Sequence, residues 1–84
     1  MRVVASSRFL RRARKLKPPR DKLLRAALRR FAADPRDPFL HTHKLKVELA
    51  DYWAFSVDDD LRVLFRWDGD VCFLAALGAH DEVH

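Results

Sequence analysis

Leu61-Arg62-Val63-Leu64-Phe65-Arg66-Trp67-Asp68-Gly69-Asp70-Val71-Cys72-Phe73-Leu74-Ala75-Ala76-Leu77 reads as a β-hairpin. Leu61, Val63, Phe65 and Trp67 share one face of a strand, opposite Arg62, Leu64 and Arg66. Asp68-Gly69 is a strong hairpin signal, because glycine supplies the positive φ a tight turn needs. Val71 to Leu77 is apolar on both faces, which predicts a strand covered on both sides or central in a sheet. Just upstream, Tyr52 to Val57 also alternates, with Trp53, Phe55 and Val57 on one face, and Asp58-Asp59-Asp60 makes the turn into the hairpin. Two strands cannot bury this much apolar surface alone, so at least three strands packed on helices are expected.

The N-terminal half supplies the helices. Arg2-Val3-Val4-Ala5 suits a short first strand. Ser6-Ser7 offers a helix N-cap, since a serine oxygen accepts from the free N–H groups of a first turn. Phe9, Leu10, Ala13 and Leu16 follow at helical spacing, with Arg8, Arg11, Arg12, Arg14 and Lys15 outward. Pro18-Pro19 breaks this helix and suits the start of another. The second helix carries Leu23, Leu24, Ala27, Leu28 and Phe31 on one stripe and stops near Ala33, before Asp34-Pro35-Arg36-Asp37-Pro38. The expectation is an α+β fold: one domain over 1–84, with two N-terminal helices, joined as a hairpin, packed on a small and mainly antiparallel sheet.

Composition limits the function classes. The chain has 84 residues, enough for one small core, and is 49% hydrophobic and 35% charged. No apolar run is long enough to span a bilayer, and Met1 to Ala5 is too short and too soon charged for a secretory signal; a cytoplasmic location is expected. The single cysteine, Cys72, excludes an internal disulfide and reads as a small buried hydrophobe. The net charge of +5 conceals an asymmetry. Residues 1–30 hold twelve Lys/Arg against one acid, whereas residues 31–84 hold five against eleven. A basic N-terminal half invites a polyanion, nucleic acid or an acidic protein segment, or simply solvates helix faces.

Chemistry gathers near the end of the chain, in Gly78-Ala79-His80-Asp81-Glu82-Val83-His84. Histidine exchanges protons near neutral pH. His41-Thr42-His43 and His80…His84 supply four imidazoles, but the pairs are far apart and lack the spacing of zinc motifs, so no metal or other cofactor is expected. No glycine-flanked serine follows a strand, and two glycines cannot build a phosphate-cradling loop. RNA cleavage by 2′-hydroxyl attack needs only a base, an acid and cations around phosphorus. His80, His84, His43, Lys44, Lys46 and Arg62 can supply these. Arg62 can present a fork of donors to phosphate or form a salt bridge to Asp58 or Asp60.

The order of these elements, with His43-Lys44-Leu45-Lys46, Tyr52-Trp53, Asp60-Leu61-Arg62-Val63-Leu64-Phe65 and Leu77-Gly78-Ala79-His80, resembles the RelE/ParE superfamily of bacterial type II toxin–antitoxin toxins. The likeness is greatest to the mRNA-interferase branch of RelE, YoeB and YafQ, and it covers nearly the whole chain. It implies a toxin that enters the ribosome, cuts mRNA without a metal, and is neutralised by a cognate antitoxin in a hetero-oligomeric complex. It implies that Arg62 clamps the transition state and that His80 is the catalytic histidine. His84 stands where relatives carry a terminal aromatic, either in its place or as a second acid/base. His43, Lys44 and Asp60 compete for the general base. Lys46, with Arg8, Arg11, Arg12, Lys15 and Lys17 of the basic helix region, would bind RNA. The chain departs from the pattern at Val47, usually glycine, at Ser56, a histidine in YafQ-like members, and near Lys44, where YoeB-like members carry glutamate. Two alternatives stand beside this reading: a ParE-like gyrase inhibitor without RNase activity, and, because of the departures at Val47 and His84, a decayed module that only binds its antitoxin.

Overall fold

In a computed structural model of the chain, residues 1–46 and 51–79 are described. Val47 lies outside them, as do His80 and His84. The order is β1 (Arg2–Ala5), α1 (Ser7–Ala13), α2 (Arg20–Ala33), a 3₁₀ turn (Pro38–Leu40), β2 (His43–Lys44), β3 (Tyr52–Ser56), β4 (Leu61–Asp68) and β5 (Val71–Ala79). Among the described residues the sheet has five strands in the order β1-β5-β4-β3-β2. Only the β1–β5 pair is parallel. The α+β architecture expected from the sequence is the one formed.

Local chemistry starts and stops the elements where expected, with one exception. The Ser6 hydroxyl accepts from the Phe9 N–H at 3.0 Å, closing the first turn of α1. The helix then ends at Ala13 rather than reaching Leu16. Lys15 and Leu16 donate to carbonyls three residues back, at Arg12 and Ala13. This tightening is common where a last helical turn unwinds. It removes the chain from helical geometry before Lys17, whose α conformation the following proline disfavours. Gly69 has φ +58° in the two-residue loop between Asp68 and Val71, as the hairpin signal requires.

The helices cover one face of the sheet. Phe31 of α2 stacks on Phe55 with ring centroids 4.7 Å apart and meets the edge of Phe65 at 4.8 Å. Phe9, Leu24, Ala27, Leu40, Leu61, Val63, Cys72, Leu74 and Leu77 complete this core. Leu23, assigned to the buried stripe of α2 by spacing, is exposed instead; it lies at the edge of the stripe. Burial pushes the Cys72 thiol up to about 11, so it stays protonated at neutral pH. On β5, Leu64 faces Ala76 but Phe65 faces Leu74, so Ala75 is the extra residue of a bulge. Its carbonyl accepts from the Ser6 hydroxyl at 2.8 Å. One side chain therefore joins the bulge to the start of α1.

Candidate functional site

Strand alternation sends a second set of side chains to the face away from the helices. Val63 and Phe65 of β4 are buried in the core, so Arg62, Leu64 and Arg66 point the other way. Ser56 is the cross-strand partner of Arg62 on β3, and Gly78 is its partner on β5, adding no side chain to that face. His43 of β2 pairs with Ala54, which faces Leu64, so His43 lies on the same face as Arg62.

Arg62, His43, His41, Ser56, Phe39 and the first two residues of the Asp58–Asp60 turn line one open cavity of about 370 Å³. Arg62 Nη1 donates to the carbonyl of Asp58 at 2.7 Å and, less closely, to that of Leu61 at 3.4 Å. The salt bridge weighed for Arg62 is not formed among the described residues. The acids of the turn serve Arg20 instead, at the start of α2. Its Nε lies 2.9 Å from Asp58 Oδ2 and its Nη2 3.9 Å from Asp60 Oδ2. Burial alone would raise the Asp58 carboxyl. The N–H groups of Leu61 and Asp60 and the Arg20 guanidinium outweigh it and hold Asp58 below the usual carboxylate range. Backbone carbonyls, not carboxylates, thus orient Arg62, and its positive charge is not neutralised by a direct carboxylate partner among the described residues.

His43 Nδ1 lies 2.8 Å from the His41 carbonyl. A carbonyl only accepts, so Nδ1 carries a proton in this contact. His41 itself is left-handed, φ 50°, at the end of the 3₁₀ turn. This conformation is uncommon outside glycine, and here it turns the chain from the 3₁₀ helix towards β2.

The other sequence candidates fall elsewhere. Lys44 alternates to the opposite face from His43 and pairs with Asp51 at 3.1 Å. Asp60 is exposed and does not line the cavity. Lys46 is exposed beyond β2. Arg8, Arg11, Arg12 and Lys15 do converge, lining with Leu77 a second cavity of about 440 Å³ between α1 and β5. Lys17 is exposed outside it. His80 and His84 lie outside the described residues. Sequence reasoning missed Arg20 and Phe39 as parts of this region, named Asp58 only as a side-chain partner of Arg62, and weighed His41 only as a metal ligand. The one available signal was the acidic triplet Asp58-Asp59-Asp60, which calls for a cation. Among the described residues no group of three or more His, Cys, Asp or Glu gathers to hold a metal ion, and no helix is long and apolar enough to cross a membrane.

No protein-family model matches the chain, and no curated protein matches its sequence. Solved structures do. A YoeB/ParE toxin from Agrobacterium tumefaciens superposes with a TM-score of 0.76 at 15% identity, covering 95% of this chain and 99% of that one. The archaeal RelE–RelB complex from Pyrococcus horikoshii gives 0.71 at 17%, covering 93% and 92%. YafQ from Escherichia coli gives 0.66 at 17%, covering 98% and 97%. At such identities the likeness is one of fold, and the fold of this chain is that of the RelE/YoeB/YafQ-like toxins.

Proposed function

We propose that this chain is the toxin of a type II toxin–antitoxin system and cleaves mRNA on the ribosome without a metal. The observation that carries the reading is the meeting of His43 and Arg62 in one open cavity, on a fold shared with RelE and YafQ. In the reaction a base removes the 2′-hydroxyl proton and the 2′ oxygen attacks phosphorus. The bond to the 5′ oxygen breaks as an acid protonates it, leaving a 2′,3′-cyclic phosphate and a 5′ hydroxyl. His43 is favoured as base over Lys44 and Asp60, because it lines the cavity beside Arg62 while they do not. Arg62 stabilises the charge that builds on the phosphate oxygens, with a guanidinium already oriented by the Asp58 carbonyl. On the sequence pattern His80 is the proton donor, and His84 takes a second acid/base or a stacking role. Lys46 and the basic residues Arg8, Arg11, Arg12, Lys15 and Lys17 contact RNA phosphates.

A cognate antitoxin is the expected protein partner; RelE–RelB and DinJ–YafQ complexes are among the similar structures. Inducing the chain in a bacterial host and mapping mRNA 5′ ends tests the proposal. New cleavage sites should appear, and Arg62→Ala, His43→Gln or His80→Ala should each slow cleavage roughly 100-fold or more. Arrested growth without new 5′ ends, or intact cleavage in the Arg62→Ala/His80→Ala double variant, would sink it. The Agrobacterium structure carries a ParE description as well as a YoeB one, which favours gyrase inhibition as the second reading. DNA-damage signalling with whole mRNA identifies that outcome.

A further inference from the structure

We infer that Phe39 is a stacking platform for an unpaired nucleobase at the edge of the His43–Arg62 cavity. Phe39 is the most exposed large hydrophobic side chain among the described residues, at 73%, although a phenylalanine in water gains nothing by itself. Its ring borders the cavity that holds His43 and Arg62. It is also held in place. Asp37 Oδ1 accepts from the Phe39 N–H at 2.9 Å, and Asp37 Oδ2 lies 3.3 Å from Arg30 Nη1. The Arg30 guanidinium in turn sits over the Phe39 ring, 4.5 Å from its centroid. Pro38 restricts the backbone just before the ring.

An exposed aromatic beside cations, on a braced backbone, has the chemistry of a single-stranded nucleic-acid site. Bases stack on such rings whatever their sequence, while nearby guanidinium groups draw the phosphates. The platform would hold one base of the strand while its neighbouring phosphate reaches Arg62. The inference rests on reading this cavity as an RNA site, and binding can be separated from cleavage.

Binding of a fluorescent single-stranded oligoribonucleotide, 2′-O-methylated throughout so that it cannot be cut, reads the platform directly. Phe39→Ala should weaken binding about ten-fold, and Phe39→Trp should bind within about two-fold of wild type because it keeps the stacking face. An abasic nucleotide moved along the strand should weaken wild type at one position and leave Phe39→Ala unchanged there. Equal binding by wild type and Phe39→Ala, abasic effects that are the same in both at every position, or no binding by either protein overturns the platform. So does a Phe39→Ala variant that weakens only the complex with the antitoxin, which assigns the ring to protein docking. A Phe39-dependent base effect in a protein that leaves cellular mRNA uncut keeps the platform and removes the nuclease. Intact mRNA cleavage with a neutral Phe39→Ala does the reverse.

Discussion

Asp58 illustrates how one side chain organises the candidate site from behind. Its Oδ1 accepts the N–H groups of Asp60 and Leu61 at 2.9 and 2.8 Å. Its two oxygens also take the Arg20 fork at 2.9 and 3.4 Å. These bonds shape the turn whose Asp58 carbonyl holds Arg62. Asp58→Ala should therefore lower stability by about 1–3 kcal/mol at neutral pH and reduce any Arg62-dependent activity. The pH dependence has a definite sign. The folded pKa lies below the unfolded one, so the contribution is complete above the unfolded value, about 3.9, and is lost as pH falls through the lower folded value. Urea titrations of wild type and Asp58→Ala should differ steadily above about pH 5 and converge in strong acid. A gap that persists unchanged at pH 2 would mean the charge is irrelevant. In the sequence, Arg62 could be picked out because it interrupts an apolar alternation. Its true partner could not, because a backbone carbonyl leaves no mark in a pattern of side chains.

At the scale of elements, the boundaries set by local chemistry were legible and those set by neighbours were not. Ser6-Ser7, Pro18-Pro19 and Asp68-Gly69 each act within a few residues, and all three mark real starts or turns. The two-residue strand β2 and the Ala75 bulge exist only by virtue of pairing with β3 and β4, so no local signal announces them. The early end of α1 is the local exception: i→i+3 bonds replace the helical ones there, and the spacing of apolar side chains does not record that change. Ser6 is where the two kinds of information meet, since it caps α1 and also binds the bulge carbonyl 69 residues away. Ser6→Ala should cost about 1–2 kcal/mol, more than an isolated cap at the low end of the usual range. In a chain of this length that is a fall in Tm of roughly 5–10 °C. Ser6→Thr, which keeps the hydroxyl, should recover most of it. A Ser6→Ala melting curve superimposed on wild type would show that neither bond contributes.

At the scale of the whole molecule, placement of charge decides more than its sum. The parallel β1–β5 pair was invisible in the sequence, because its partners are 69 residues apart, yet it seats α1 against β5. That contact turns a basic helix into one wall of a cavity lined by Arg8, Arg11, Arg12, Lys15 and Leu77. The sequence showed the excess of cations in residues 1–30 but not which of them converge. If the convergent four bind RNA phosphates, each contact releases condensed counterions, and log K falls with log salt by about 0.7 per contact for a single strand. Changing Arg8, Arg11, Arg12 and Lys15 together to Gln should then flatten the salt dependence of oligoribonucleotide binding by up to about 3 units of slope. Lys22, Arg25, Arg29 and Arg36 are also exposed but do not line this cavity. Changing those four to Gln removes the same net charge. Under the placement argument it weakens binding only through the diffuse field and leaves the slope near that of wild type. Equal flattening in the two quadruple variants would mean that the molecule attracts RNA by overall charge alone, and that the convergence between α1 and β5 plays no part.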